Sequence, residues 1–196
     1  MIETGLWTAS LRMACTRMAC TVVLCGLVIA DVAADSVPAI QVKSLKEIRE
    51  HAVVMQRWDT SCAAAALATV LTYGFHDPVS ERYIAAKMLE TTEPGKVKAQ
   101  GGFSLLDMKQ FAQSRGYSGD AYQYLSTDDL KLFRAPIVPI SVHGVNHYVV
   151  VNAVTGDQVL IADPAFGNRA LSMTRFKQIW LNGIAFVVTV QSIHTP

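Results

Sequence analysis

In the first half of the chain beyond residue 43, apolar residues recur at the spacing of α-helices. Within residues 104–115, Leu105, Met108 and Phe111 fall on one side of a helix, and a glycine follows its end. Another segment is rich in alanine and leucine and is closed by Gly74. The pattern predicts four helices in this half, at residues 44–50, 61–73, 79–90 and 104–115.

The second half changes to short β-rich runs separated by turn signals. Residues 155–157, Thr-Gly-Asp, form a tight turn between two apolar runs, which predicts a hairpin. Short helices fit residues 126–133 and 174–180, whereas residues 91–102 contain proline, glycine and lysines and predict a loop. The order of elements is typical of an α+β domain, with N-terminal helices packed on a C-terminal antiparallel sheet. The predicted strands are 117–125, 137–142, 147–154, 158–162 and 184–191.

The first 34 residues have the layout of a secretory signal peptide. Arg12 and Arg17 precede an apolar run at residues 18–30, and small residues follow at positions 33 and 34. The run is shorter than the roughly 20 residues that a membrane-spanning helix needs. We therefore predict a signal peptide at residues 1–34 and a periplasmic location. An uncleaved signal that stays as a membrane anchor is the alternative, and it would be the chain's one membrane contact.

Composition and charge narrow the class of protein that residues 35–196 can form. Hydrophobic residues make up 51% of the chain, which is enough for a substantial core, and no repeat or linker divides this region. Lys and Arg number 17 against 16 Asp and Glu, for a net charge of +1. The apolar content and the unbroken sequence predict one globular domain at residues 35–196. The near-neutral charge predicts that this domain binds no nucleic acid.

The cysteines single out one candidate for chemistry. Cys15, Cys20 and Cys25 lie in the predicted signal, so Cys62 would be the only cysteine of the exported domain and could form no internal disulfide. A buried, inert thiol is one interpretation. A nucleophile is the other, because the predicted helix at residues 61–73 would present its free N–H groups to the sulfur and favour the thiolate. The same N–H groups could bind an oxyanion.

A thiol nucleophile needs a base, and the base needs an orienting group. His147 opens a predicted strand after a turn-prone stretch, and Asp163 ends the next strand, just before Pro164. Because a tight turn joins the two strands, His147 and Asp163 would lie near each other at the open end of one hairpin. Cys62, His147 and Asp163 would then be nucleophile, base and orienter in that order along the chain.

Other arrangements of these residue types compete with this one. His147 and Asp163 could form a purely structural hydrogen bond at the strand ends, and Asp59 could compete with Asp163. His143 and His147 are four residues apart, as in some metal sites, but no third ligand lies close by in sequence, so we expect no metal and no cofactor. The other histidines beyond the signal are His51, His76 and His194.

Three short stretches together resemble the bacteriocin-processing cysteine peptidases, also called double-glycine peptidases. The resemblance extends over residues 53–190 and implies a papain-like fold. One departure is the sequence Ser-Cys-Ala at residues 61–63, where the family commonly has Asp-Cys-Gly. The stretches that carry the resemblance are residues 56–63, 147–151 and 163–165, the last with Gly167 shortly after it.

The resemblance also implies a role for each site residue. Cys62 would be the nucleophile, His147 the general base and acid, and Asp163 its orienter. Gln56 would donate from its side chain to the oxyanion. The catalytic residues implied by the resemblance are thus the same three that their positions in the chain predict, with Gln56 in addition.

The substrate implied by the resemblance is a polypeptide, a secreted protein or leader peptide cut after small residues of the Gly-Gly or Gly-Ala type. The overall layout is also similar to the peptidase component of a functional-amyloid secretion system, which implies partners from a secretion or amyloid-export system. Two alternatives remain: a non-catalytic module that binds leader peptides, and an acyl-transferase that uses the same triad. The chain's own Gly101-Gly102 pair suits a flexible lead into a helix better than a site of self-cleavage.

Overall fold

The computed structural model describes residues 42–191, so the predicted signal peptide and His194 lie outside the described residues. In the described part, six helices and a six-stranded antiparallel sheet confirm the α+β prediction. The helices are α1 (Leu45–Glu50), α2 (Cys62–Thr69), α3 (Glu81–Leu89), α4 (Pro94–Gln100), α5 (Leu105–Ser114) and α6 (Met173–Ile179). The strands are β1 (Tyr117–Tyr122), β2 (Ile137–Val142), β3 (Val145–Thr155), β4 (Gln158–Asp163), β5 (Gly167–Ser172) and β6 (Ala185–Val190).

The sheet has the strand order β1-β6-β2-β3-β4-β5. Strands β3 and β4 form the predicted hairpin, in which Thr155 pairs with Gln158 across the tight turn. Strand β5 was not predicted: it pairs with β4 so that Asp163 lies opposite Gly167. The end of β4 therefore has a strand on each side: β3 pairs with it as far as Ala162, and β5 pairs with Asp163 itself.

Helix α2 is the central helix of the domain, since all eight of its residues are buried. Its alanines allow neighbouring elements to approach closely on every side, as a fully buried helix requires. A π-helical segment at Val70–Gly74 continues it, so the helical run matches the predicted segment 61–73. One face of the sheet packs on this helical layer, and the other packs on α6 through Phe176 and Ile179.

The predicted loop at residues 91–102 contains a helix, α4, and that prediction was wrong. Pro94 occupies the first turn of α4, and Gly101 ends it in a left-handed conformation with φ of 76°. The next residue, Gly102, is buried, and a Cβ placed on it would lie 3.2 Å from the Thr60 carbonyl oxygen. The glycine pair therefore ends a helix and packs closely against the segment before Cys62.

None of the helices between residues 42 and 191 combines the length and the apolar character that crossing a bilayer demands.

Gly167→Ala is expected to destabilise the fold more than Gly144→Ala does. Both glycines have left-handed φ angles, 78° and 79°, so alanine is strained at either position by about 1 kcal/mol. At Gly167 the new Cβ would also lie 2.5 Å from the Arg49 carbonyl oxygen, whereas at Gly144 it meets no atom within 4 Å. Overpacking of this kind adds about 1–3 kcal/mol. Urea denaturation of both variants measures the difference, and equal losses would contradict the close contact.

Candidate active site

Cys62 is the first residue of α2 and is almost completely buried, with 3% of its surface exposed. The first N–H groups of a helix have no partners within the helix and carry partial positive charge. The side chain of Ser61, the residue before the helix, makes no capping hydrogen bond to them. These N–H groups are therefore available to a negative charge on the sulfur or on an oxygen beside it.

His147 and Asp163 are brought together by the β3–β4 hairpin. His147 lies near the start of β3, Asp163 is the last residue of β4, and Nε2 of the imidazole lies 2.7 Å from Oδ1 of the carboxylate. The same Oδ1 accepts a hydrogen bond of 2.9 Å from the backbone N–H of Ala165. Asp163 is fully buried, so the ring is held by a carboxylate that has itself little freedom to move.

Arg169 is the second partner of Asp163, and sequence analysis missed it. Its Nη2 donates a hydrogen bond of 2.6 Å to Oδ2 of Asp163, and its guanidinium lies 4.9 Å from the centre of the Phe166 ring. Arg169 belongs to β5, the strand that was not predicted. The sequence signal that could have identified it is a basic residue just beyond a short turn, where a hairpin returns it to the end of β4.

The side chains around His147 and Asp163 shift each other's pKa values. Burial alone would lower the pKa of His147, but interactions with Asp163 and with the Cys62 side chain outweigh it and raise the pKa to about 9. Burial alone would raise the pKa of Asp163, but the hydrogen bonds from His147 and Ala165 and the charge of Arg169 hold that pKa below its usual value. An imidazolium beside a carboxylate is therefore the stable state at neutral pH.

The structure also brings His147 within interaction range of Cys62, since the thiol is one of the groups that raise the pKa of the ring. Because Nε2 is bonded to Asp163, Nδ1 is the ring nitrogen left to exchange a proton with the sulfur. Cys62, His147 and Asp163 thus converge from one helix and two strands. Such an arrangement can activate a thiol and return a proton to a leaving group.

Gln56 lies in the loop before α2 and is tied to the end of β4. Its backbone N–H donates to the carbonyl oxygen of Pro164 at 2.8 Å, and its side-chain Nε2 donates to the carbonyl oxygen of Trp58 at 3.2 Å. An amide nitrogen carries two hydrogens, so one of them remains for a ligand. The side-chain Oε1 is buried and has no hydrogen-bond partner among residues 42–191. The side-chain amide of Gln56 is thus held in place while one of its N–H groups can still donate a hydrogen bond to a ligand.

The competing arrangements find less support in the geometry. Asp59 is exposed, and the carboxylate bonded to His147 is Asp163. His143 is also exposed. In the part of the chain that the structure describes, no three side chains of the His, Cys, Asp and Glu types are grouped as a metal site would require.

Comparison with known proteins places the chain in a family. The model of the peptidase C39 family matches residues 50–192. Two proteins named "Probable functional amyloid protease FapD" are each 38% identical to it, from Pseudomonas aeruginosa over 152 residues and from Pseudomonas fluorescens over 149 residues. These matches cover 77% and 76% of this chain but 66% and 65% of the relatives, slightly less than two thirds of their length.

Solved structures agree with this placement. The peptidase domain of Streptococcus ComA, a bifunctional ABC transporter of a quorum-sensing pathway, has the same fold, with a TM-score of 0.58 at 23% identity over 71% of this chain and 98% of that one. A double glycine motif protease from an AMS/PCAT transporter, solved in complex with the leader peptide, gives a TM-score of 0.58 at 26% identity over 71% and 91%. The chain belongs to the peptidase C39 family.

Proposed function

We propose that this chain is a thiol endopeptidase that cuts a polypeptide after small residues of the Gly-Gly or Gly-Ala type. The observation that carries the proposal is the position of the His147 ring, bonded to Asp163 on one side and in range of Cys62 on the other. Membership of the peptidase C39 family supports the reaction class. The name of one structural neighbour, a double glycine motif protease, supports the cleavage preference.

In the proposed reaction, the Cys62 thiolate attacks the carbonyl carbon of the scissile bond. The resulting oxyanion accepts hydrogen bonds from the Cys62 backbone N–H and from the Gln56 side chain. The His147 imidazolium then protonates the leaving amine, and the acyl group stays on the sulfur as a thioester. Water, deprotonated by His147, hydrolyses the thioester and restores the thiolate. Asp163 holds the ring in the orientation that both proton transfers need.

An apolar groove beside the nucleophile supports a polypeptide substrate. The groove extends from the segment before Cys62 to α3 and α4, and its walls include Trp58, Leu89 and Phe103. Trp58 and Leu89 are 48% and 42% exposed, so their apolar surfaces are accessible to a ligand. Arg57 and Arg82 also line it and would favour acidic side chains next to apolar ones. A peptide of that character could bind along the groove and lead its small residues to Cys62.

Export and the biological partner are part of the same proposal. The chain carries a predicted signal peptide at residues 1–34, and its relatives are named functional amyloid proteases. We infer a periplasmic enzyme that trims a protein of a secretion or amyloid-export system. Its substrate would be a polypeptide in transit through that compartment.

The test is a cleavage assay on matched peptides. One peptide carries Gly-Gly before the cut site, a second carries Gly-Ala, and a third carries Leu-Leu as a control. Mass spectrometry is expected to show thiol-dependent hydrolysis of the first two, and pretreatment with iodoacetamide is expected to abolish it. Binding of the peptides without cleavage would instead identify a leader-binding module, and products joined to an added amine would identify an acyl-transferase.

Gln56→Ala is expected to lower kcat by roughly 10²–10³-fold, the usual effect of removing one oxyanion donor. KM is expected to change little, because the amide contributes mainly when the oxyanion forms. Steady-state kinetics on the Gly-Gly peptide measure both constants. Gln56→Glu is the matched control: it keeps the shape of the side chain but removes the N–H donors, so it is expected to be equally impaired. Wild-type kcat in either variant would contradict the role of Gln56.

A further inference from the structure

Glu81 is a buried carboxylate that the proposed reaction does not use. It is the first residue of α3 and has only 3% of its surface exposed. Burying a carboxylate is unfavourable unless strong hydrogen bonds compensate for the lost water. Its position at the N-terminus of a helix favours the negative charge, but its side-chain bonds go elsewhere, to the loop that carries the active site.

Both ends of one short segment are attached to this carboxylate. Oε1 of Glu81 accepts a hydrogen bond of 2.8 Å from the backbone N–H of Arg57, and the hydroxyl of Ser61 donates to the same oxygen. Ser61 Oγ also accepts from the Trp58 N–H at 3.2 Å and lies 2.8 Å from the Trp58 carbonyl oxygen. Residues 57–61 are therefore closed into a compact turn that is fixed to α3.

The residues on either side of this turn are the two proposed oxyanion donors. Gln56 precedes Arg57, and Cys62 follows Ser61. Gln56 is further held by its bonds to Pro164 and Trp58, and the Trp58 carbonyl oxygen also accepts a hydrogen bond of 3.1 Å from the Ser61 N–H. The Glu81 carboxylate holds the turn from outside the loop, because it joins the first and last residues of the turn through a single oxygen atom.

We propose that Glu81 is a positioning residue of the oxyanion hole, which sets the separation between the Gln56 side chain and the Cys62 backbone N–H. This inference rests on the proposed function, since the two donors act together only if Cys62 attacks a carbonyl group. Glu81 touches no reacting atom. Its effect on the reaction passes through Arg57 and Ser61 to the residues beside them.

The experiment compares Glu81→Leu with Glu81→Gln. The glutamine side chain keeps an oxygen that can accept both hydrogen bonds, so its kcat is expected to stay within about threefold of the wild type. Leucine removes the acceptor, and kcat is expected to fall roughly 10–100-fold with little change in KM, a large part of the loss for one oxyanion donor. Alkylation of Cys62 by iodoacetamide is expected to stay near the wild-type rate, since that reaction forms no oxyanion.

A peptide aldehyde distinguishes positioning from general stability. Its carbonyl carbon bonds to the Cys62 sulfur, and the former carbonyl oxygen occupies the oxyanion hole of the resulting hemithioacetal. Glu81→Leu is expected to weaken the aldehyde by the same factor as kcat, while a peptide amide of the same sequence binds as before. Equal weakening of both ligands would overturn the inference. Asp77→Leu, which breaks the ion pair with Arg115 away from the loop, is the stability control and is expected to leave kcat unchanged.

A double variant tests the route of the effect. In a Gln56→Ala background, Glu81→Leu is expected to lower kcat by less than about threefold further, because one donor is already lost. If Glu81→Leu does not fold, Ser61→Ala removes one of the two attachments and is expected to reduce kcat and aldehyde affinity together. If the folded Glu81→Leu or Ser61→Ala variant showed wild-type kcat and wild-type affinity for the aldehyde, the inference would be overturned. A different result would contradict the proposed function itself: a wild-type protein that shows no thiol-dependent cleavage.

Discussion

Peptide cleavage is expected to fall to the uncatalysed background when Cys62 is replaced by alanine. In the proposed reaction the sulfur is the atom that forms a covalent bond with the substrate, and removal of a nucleophile of this kind costs about 10⁶-fold in kcat. The fold is expected to be retained, because Cys62 starts a helix that continues with alanines at positions 63–66. Cleavage of the Gly-Gly peptide, followed by mass spectrometry beside thermal unfolding, measures both outcomes.

The same variant provides its own control for substrate binding. Cys62→Ala is expected to bind the uncleaved peptide with nearly wild-type affinity, since the groove along Trp58, Leu89 and Phe103 is unchanged. Retained binding together with lost cleavage identifies the sulfur as the reacting atom and excludes an effect on docking. Cleavage by purified Cys62→Ala at the wild-type rate would refute the assignment of Cys62 and, with it, the proposed thiol chemistry.

Local sequence patterns carried the prediction of the three central site residues. Cys62 could be placed at a helix start because an alanine- and leucine-rich run follows it and Gly74 closes that run. His147 and Asp163 could be paired because one tight turn joins their strands, so their proximity depends on only a few intervening residues. In both cases a short segment of the chain contains enough information to fix the relevant geometry.

The elements and residues that sequence analysis missed either have weak local signals or depend on contacts between segments distant in sequence. Strand β5 contains no run of apolar residues, so neither the strand nor Arg169 on it was identified. Helix α4 was mistaken for a loop because Val97 is its one buried residue, although Pro94 at its start and Gly101 at its end are typical helix signals. Glu81 meets Ser61 across 20 residues of chain, and no sequence period predicts that pairing.

Replacing His147 with alanine is expected to have the next largest effect, a loss of at least about 10⁴-fold in kcat. In the proposed reaction, this variant lacks both the partner that activates the sulfur and the acid that protonates the leaving amine. The fold is expected to survive, because Asp163 keeps its bonds to Ala165 and Arg169. Kinetics on the Gly-Gly peptide measure the loss, and wild-type kcat in a folded His147→Ala variant would remove His147 from the mechanism.

The pH dependence of the wild type tests the same residue without removing it. Since the pKa of His147 is raised to about 9, kcat is expected to fall as pH rises through about 9, where the imidazolium is lost. In Asp163→Asn this fall in kcat is expected at lower pH, because the negative charge that helps to hold the proton on His147 is gone.

The free energy of unfolding is expected to change with pH in the same direction as kcat. The contribution of His147 to stability is fully present below about pH 6.5 and is lost as pH rises to about 9. Urea denaturation across this range is expected to show that decline in the wild type and a weaker one in Asp163→Asn, and identical profiles would show that Asp163 does not hold the proton.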